Sequence, residues 1–188
     1  MIKNKRDLKY YLDEDLKRYP TPPRGIIGWL LQTEKYVIWH QLKNLRKLEY
    51  YQNTATNPIR KMLYYIQMVK YFRIMRKTEI YVYPNVFGPG LYIPHLGRIL
   101  TPKSDYLQAG KGCTLRPGLL VAMNNGMGNR KYRSMTFGDN VEFSEGCKIL
   151  CKKIGNNVVV GPNAVVTRNV PDDMTVYAPL SEMMERNV

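Results

Sequence analysis

Two histidines, His40 and His95, and three cysteines, Cys113, Cys147 and Cys151, are the scarce reactive side chains of this 188-residue chain. Two histidines cannot build a three-histidine metal site within one chain. The Cys147/Cys151 pair would need further ligands from elsewhere, and an odd, sparse set of three thiols argues against a disulfide framework. Buried thiols and no metal are therefore expected. His95 is the more informative residue. It stands in the row I93-P94-H95-L96-G97-R98, two places after an inward position of a repeating pattern, so the core has no need of it. A lone histidine is most often a surface or satisfied residue, but imidazole can also move a proton near neutral pH.

The pattern around His95 belongs to the second half of the chain, where the period is six. Rows begun at Phe137 read FGDNVE, FSEGCK, a short ILCKK, IGNNVV, VGPNAV and VTRNV. The first column, Phe137, Phe143, Ile149, Ile154, Val160 and Val166, is large and apolar. The second is mostly small, and the fourth holds Asn140, Gly146, Asn157, Asn163 and Asn169, residues that tolerate a left-handed turn. One row is one short strand plus one corner, and stacked rows create a core that no single row possesses. Phe87, Ile93 and Ile99 keep the step upstream, as do Ala109, Leu115 and Val121. The stretch MNNGMGNRKYRS breaks it and predicts a loop projecting at about 122–136, carrying Arg130, Lys131 and Arg133. Irregularities at Lys103–Gln108 and at Cys151 have no explanation in the repeat.

Before Ile80 the period is helical. Asn57-Pro58 predicts a capped helix start, and Ile59, Met62, Leu63, Ile66, Val69 and Phe72 then recur on one face. Leu31, Ile38, Leu42 and Leu45 predict a second helix after the breaker YPTPPRG, and a shorter one is expected near Lys5–Lys17. The division is thus a helical region at 1–79, a strand-and-corner domain at 80–171 and a tail at 172–188. A chain of this length can bury roughly 70% of its unfolded surface.

The net charge of +14 is uneven, because residues 1–80 hold 17 Lys and Arg against 7 Asp and Glu. Such a field attracts anions without choosing among them. No nucleic-acid module motif is present, and no apolar run approaches the roughly 20 residues of a membrane span. The opening M-I-K-N-K-R is followed by no apolar segment, so a cytoplasmic protein is expected. The mixture of aromatic, aliphatic and basic residues in the helices allows peripheral contact with the inner face of the cytoplasmic membrane, against the plainer reading of a packed core with a solvated charged face.

The run YPNVFGPGLYIPHLGRI, the rows after it and the close VGPNAVVTRNVP resemble the hexapeptide-repeat acyltransferases over roughly residues 80–171. The likeness is greatest to the serine O-acetyltransferase-like branch, which includes short capsule and exopolysaccharide acetyltransferases. The resemblance implies a mainly β fold, a left-handed parallel β-helix, assembled as a homotrimer with clefts between neighbouring subunits. It implies acetyl-CoA as donor and His95 as general base, taking a proton from an acceptor hydroxyl that attacks the thioester directly. Pro162, Thr167 and Arg168 match donor-side positions, with Arg168 suited to phosphate.

Three positions depart from the family. Tyr81 stands where an aspartate orients the base, Lys131 follows Arg130 where a histidine helps to bind serine, and YAPLSE replaces the usual C-terminal motif. The first two lie on the acceptor side. The expected function is therefore acetyl transfer to a sugar hydroxyl in surface-polysaccharide assembly, with serine O-acetyl transfer as the alternative. A non-catalytic basic solenoid binding anionic partners is a further alternative. Tyr81, a backbone carbonyl, Glu142 or Glu145 are the candidates to replace the orienting aspartate.

Overall fold

The computed structural model describes residues 1–21, 25–123 and 134–179. Four helices come first: α1 (Lys5–Lys17), α2 (Ile26–Leu30), α3 (Glu34–Thr54) and α4 (Pro58–Thr78). Side-chain caps fix two of the starts. The Asn4 carbonyl accepts from the Asp7 amide, and Asn57 accepts from the Arg60 amide with Pro58 in the first turn.

Twelve short strands follow: β1 (Ile80–Tyr81), β2 (Ile99–Leu100), β3 (Leu107–Ala109), β4 (Thr114–Leu115), β5 (Leu120–Val121), β6 (Met135–Phe137), β7 (Glu142–Phe143), β8 (Lys148–Ile149), β9 (Lys153–Ile154), β10 (Val159–Val160), β11 (Val165–Val166) and β12 (Thr175–Val176). They form three parallel sheets ordered β1-β2-β5-β8-β11, β12-β10-β7-β4 and β3-β6-β9. From β3 to β11 the chain visits the three sheets in fixed rotation, adding one strand to each per circuit. Among the described residues these remain separate sheets, not one closed wall.

The six first-column residues, Phe137 to Val166, are all buried, each stabilising the stack by about 1.5–3 kcal/mol. Asn140, Asn157 and Asn163 turn their corners with φ of 55°, 53° and 56°, and Gly146 with 71°. Asn169 acts differently, its side-chain oxygen accepting from the Lys153 amide. The small second column is a steric demand: a Cβ on Gly138 would lie 2.6 Å from the Gly155 carbonyl oxygen.

Both irregularities now have a cause. Ile149 is followed by Ile154 after five residues, so Glu142 pairs with Val159 and Lys148 with Val165, each 17 residues on instead of 18. At Lys103 the chain makes an extra turn, with the Tyr106 and Leu107 amides donating to the Lys103 carbonyl. Pro171 does not end the pairing, since β12 still joins β10.

The helices depart from their sequence reading in two places. Leu31 is not part of α3 and is exposed, while Ile38, Leu42 and Leu45 are buried as expected. In α4 five of the six residues of the apolar face, Ile59, Met62, Leu63, Ile66 and Val69, are exposed, whereas Phe72 packs against the core, and Gln67, Tyr71 and Met75 are the buried residues. Tyr71 and Gln67 can turn inward because each finds an acceptor, the Val82 carbonyl and the Asn44 carboxamide and carbonyl oxygens.

A buried ionic cluster ties α1 and α3 to the first circuit. Arg46 donates from Nε and Nη2 to Asp15, from Nη1 to Glu49 and to the Phe87 carbonyl, and from Nη2 to the Gly88 carbonyl. Asp15 also accepts from the Gly90 and Leu91 amides, and Glu49 from the Asn85 amide. Burial works against the charge on Arg46, but the two carboxylates outweigh it and raise its pKa. Tyr19 adds a second tie, packing edge-on against Tyr92 and donating its hydroxyl to the Ile93 carbonyl.

Candidate active site

His95 lies at the corner that leads from the β4-side sheet to β2, just after the bridge between Tyr92 and Thr114. Its side chain is 61% exposed, as its row position predicts. The corners above it stack directly: the Gly118 amide donates to Arg98, the Gly146 amide to Pro117 and the Asn163 amide to Glu145. One edge of the stack therefore carries His95, then Pro117, then Glu145, then Pro162. Three strand spacings separate His95 from Pro162, about 14 Å.

The residue facing His95 is Glu34, 61 positions earlier, at the first turn of α3. Its Oε2 lies 3.4 Å from His95 Nδ1, and its Oε1 accepts the Leu96 amide at 2.7 Å. The Leu96 amide first, and His95 behind it, hold the Glu34 carboxyl below its ordinary range. Glu34 is thus a carboxylate tied to the backbone on one side of the ring. A proton on Nδ1, donated to Glu34, leaves Nε2 as the basic atom, a ring orientation suited to proton abstraction.

The three side chains raised for that place from sequence, Tyr81, Glu142 and Glu145, are engaged elsewhere. Tyr81 is half-buried in β1, where its carbonyl accepts from the Thr101 amide and hydroxyl, and among the described residues it makes no hydrogen bond to His95. Glu142 and Glu145 are engaged by Arg116, at 2.8 Å and 3.2 Å. The Glu145 carboxyl is held low by a backbone amide first and then by Arg116, and it is near enough to feel a charge on His95 as well. The local sequence around His95 carried no sign of Glu34; only the acid at a helix start, Thr33-Glu34, was visible, and that alone marks a helix N-terminus.

Pro162, Thr167 and Arg168 are all exposed. Pro162 shares the His95 edge. Thr167 and Arg168 follow β11 and so lie at the next edge, across the β1-β2-β5-β8-β11 face from His95. The segment expected to form a loop follows β5; Arg130 and Lys131, which it carries, lie outside the described residues. Among the described residues, no group of three or more His, Cys, Asp or Glu could hold a metal. Cys113, Cys147 and Cys151 are buried and free.

Scans against protein-family models and against curated proteins give no match. Solved structures do match. The serine acetyltransferase isoform 3 of Entamoeba histolytica, in complex with cysteine, superposes with a TM-score of 0.57 at 20% identity over 97% of this chain and 61% of that one. The Neisseria gonorrhoeae serine acetyltransferase in complex with serine gives 0.60 and 21%, over 93% and 67%. A serine acetyltransferase in complex with CoA gives 0.55 and 15%, over 90% and 64%. The chain has a serine acetyltransferase-like fold of N-terminal helices followed by parallel strands, and it spans 61% to 67% of the length of these three proteins.

Proposed function

We propose that the protein is an acetyl-CoA-dependent O-acetyltransferase in which His95 is the general base. The observation that carries this reading is the exposed imidazole held against the Glu34 carboxylate, on an edge shared with Pro162. In the proposed step Nε2 of His95 takes the proton of an acceptor hydroxyl as its oxygen attacks the thioester carbon. The carbon–sulfur bond then breaks, and the same proton passes to the departing sulfur. General-base assistance of this kind contributes about 10² to 10⁴ in rate. Pro162 would border the pantetheine arm, and Thr167 and Arg168 the phosphates at the nucleotide end.

The structural neighbours with serine or cysteine bound favour serine as acceptor over a polysaccharide hydroxyl. Glu34 removes one objection to serine, since the missing aspartate at Tyr81 leaves the base with a carboxylate partner after all. A sugar hydroxyl stays as the second reading because Lys131 follows Arg130 where serine binders carry a histidine. We further infer that the strands wind as a left-handed β-helix and assemble as a trimer. Val159 and Val165 expose apolar side chains on two of the flat faces, and closed symmetry is the usual way to cover such surface.

Thiol release from acetyl-CoA, measured with serine and with nucleotide-linked sugars, tests the reading. Serine-dependent release that falls at least about 100-fold in His95→Ala is expected. Release with no hydroxyl acceptor at all, or near-normal turnover of the folded variant, would overturn it.

A further inference from the structure

The outward face of α4 makes no contact with the His95–Glu34 pair and adds nothing to the core. Ile59, Met62, Leu63, Ile66 and Val69 follow one another at three- and four-residue steps and lie 69%, 56%, 36%, 58% and 48% exposed. Toward the helix C-terminus the same line continues as Lys70, Arg73 and Lys77. A hollow of about 600 Å³ opens here between α3 and α4, floored by Ile66, Val69 and Ile74 and rimmed by Lys70, Arg73 and Lys77.

The charge of this face is of one sign. Over Pro58–Thr78 the helix holds six Lys and Arg and no Asp or Glu. None of the six is in an ion pair among the described residues. Across the hollow α3 presents His40, whose pKa is pushed down by burial first and then by Lys70, Lys43 and Lys47. No carboxylate lines the hollow to balance these cations.

Two features must be met together by whatever covers this surface: an apolar stripe and a dense positive field beside it. A second copy of the chain meeting the face by two-fold symmetry would bring the same patch, with six cations and no acid in its helix, against itself, a repulsive arrangement. A nucleic acid would satisfy the cations and leave five aliphatic and thioether side chains in water. An anionic lipid surface satisfies both, taking the stripe into the headgroup and acyl boundary while its phosphates meet the basic residues.

We propose that the outer face of α4, from Ile59 to Lys77, docks the protein on membranes containing anionic phospholipid. The contact is peripheral, since no described helix is long and apolar enough to cross a membrane. It stands independently of the acetyltransferase reading.

The purified full chain is sedimented with vesicles of phosphatidylcholine alone and of phosphatidylcholine with phosphatidylglycerol, at low and high salt. Wild type is expected to bind the anionic vesicles and to lose much of that binding at high salt. Lys70→Glu with Arg73→Glu should lower the partition constant at least about 25-fold, about five-fold for each cation. Ile66→Ser with Val69→Ser should also lower it, with an unchanged circular dichroism spectrum, because all four side chains are exposed. Equal or negligible binding to both vesicle types would overturn the proposal. So would a change of oligomeric state in either variant with vesicle binding intact, or binding to duplex DNA that the charge reversal abolishes and the serine pair leaves unaltered.

Discussion

Replacing Glu34 by Gln separates the charge of this residue from its place in the backbone. The amide oxygen of Gln can still accept the Leu96 amide, whose bond at 2.7 Å sets the geometry, so the helix start and the corner should stay where they are. What is lost is the negative charge beside Nδ1 of His95. At 3.4 Å, with His95 61% and Glu34 43% exposed, solvent screens the pair heavily. Near-aqueous screening gives about 1 kcal/mol for unit charges at this range. That difference bears on the imidazolium formed as the base takes its proton, so it falls on the chemical step. The expected result is a kcat lowered by about five-fold, with KM for acetyl-CoA unchanged. Glu34→Ala should cost more, since the Leu96 amide then loses its acceptor too. The assay is steady-state thiol release at saturating acceptor, with Glu34→Asp as the conservative control. If Glu34→Gln raises KM for the acceptor and leaves kcat intact, Glu34 binds substrate and does not orient His95. If neither parameter moves, the contact has no part in the reaction.

Other outcomes follow from the packing. Arg46→Met should destabilise the fold by about 3–5 kcal/mol in denaturant titration, because Asp15 and Glu49 are left buried without their counter-charge; a loss under 1 kcal/mol would refute that reading. Gly138→Ala should cost about 1–3 kcal/mol, since its Cβ meets backbone that cannot rotate aside, whereas Gly28→Ala, with nearest contacts of 3.4 Å or more, should be nearly neutral. The three thiols are pushed up by burial, Cys113 and Cys151 to about 11 and Cys147 to about 12, so the native protein at pH 8 should leave Ellman's reagent uncoloured and react fully only when unfolded. Light scattering at micromolar concentration should give a trimer mass with or without reductant, and a monomer would contradict the assembly.

The strand half was legible because its cause is local and repeated. Each row must bury its first residue and turn at its fourth, so Phe143 or Asn157 announces its role within six residues of itself. The start of α4 was legible for a similar reason, its cap Asn57 and the proline after it being adjacent residues. Periodicity shows that Ile59, Met62, Leu63, Ile66 and Val69 share a face, but not whether anything covers that face. It therefore left a packed stripe and an open one both possible, and the structure has the open one. Glu34 was illegible because its meaning lies in a partner 61 residues away, and two independent packing events, α3 on the first circuit and the corner at His95, must both occur before the pair exists.

Those events are linked through Arg46. A buried ion cluster gives little net stability compared with apolar residues of the same volume, so its value has to be sought in what it specifies. Here all five guanidinium hydrogens are directed, to two carboxylates and to the Phe87 and Gly88 carbonyls, while Asp15 in turn takes the Gly90 and Leu91 amides. An apolar core would tolerate α3 sliding or rotating by a fraction of a turn; this arrangement does not, because any shift strands a charge. The backbone it grips ends four residues before His95, and the helix it grips begins at Glu34. The helical region is thus not an accessory to the strand stack. It supplies the carboxylate that stands beside His95, and the buried cluster holds the two halves of the His95–Glu34 pair in one register.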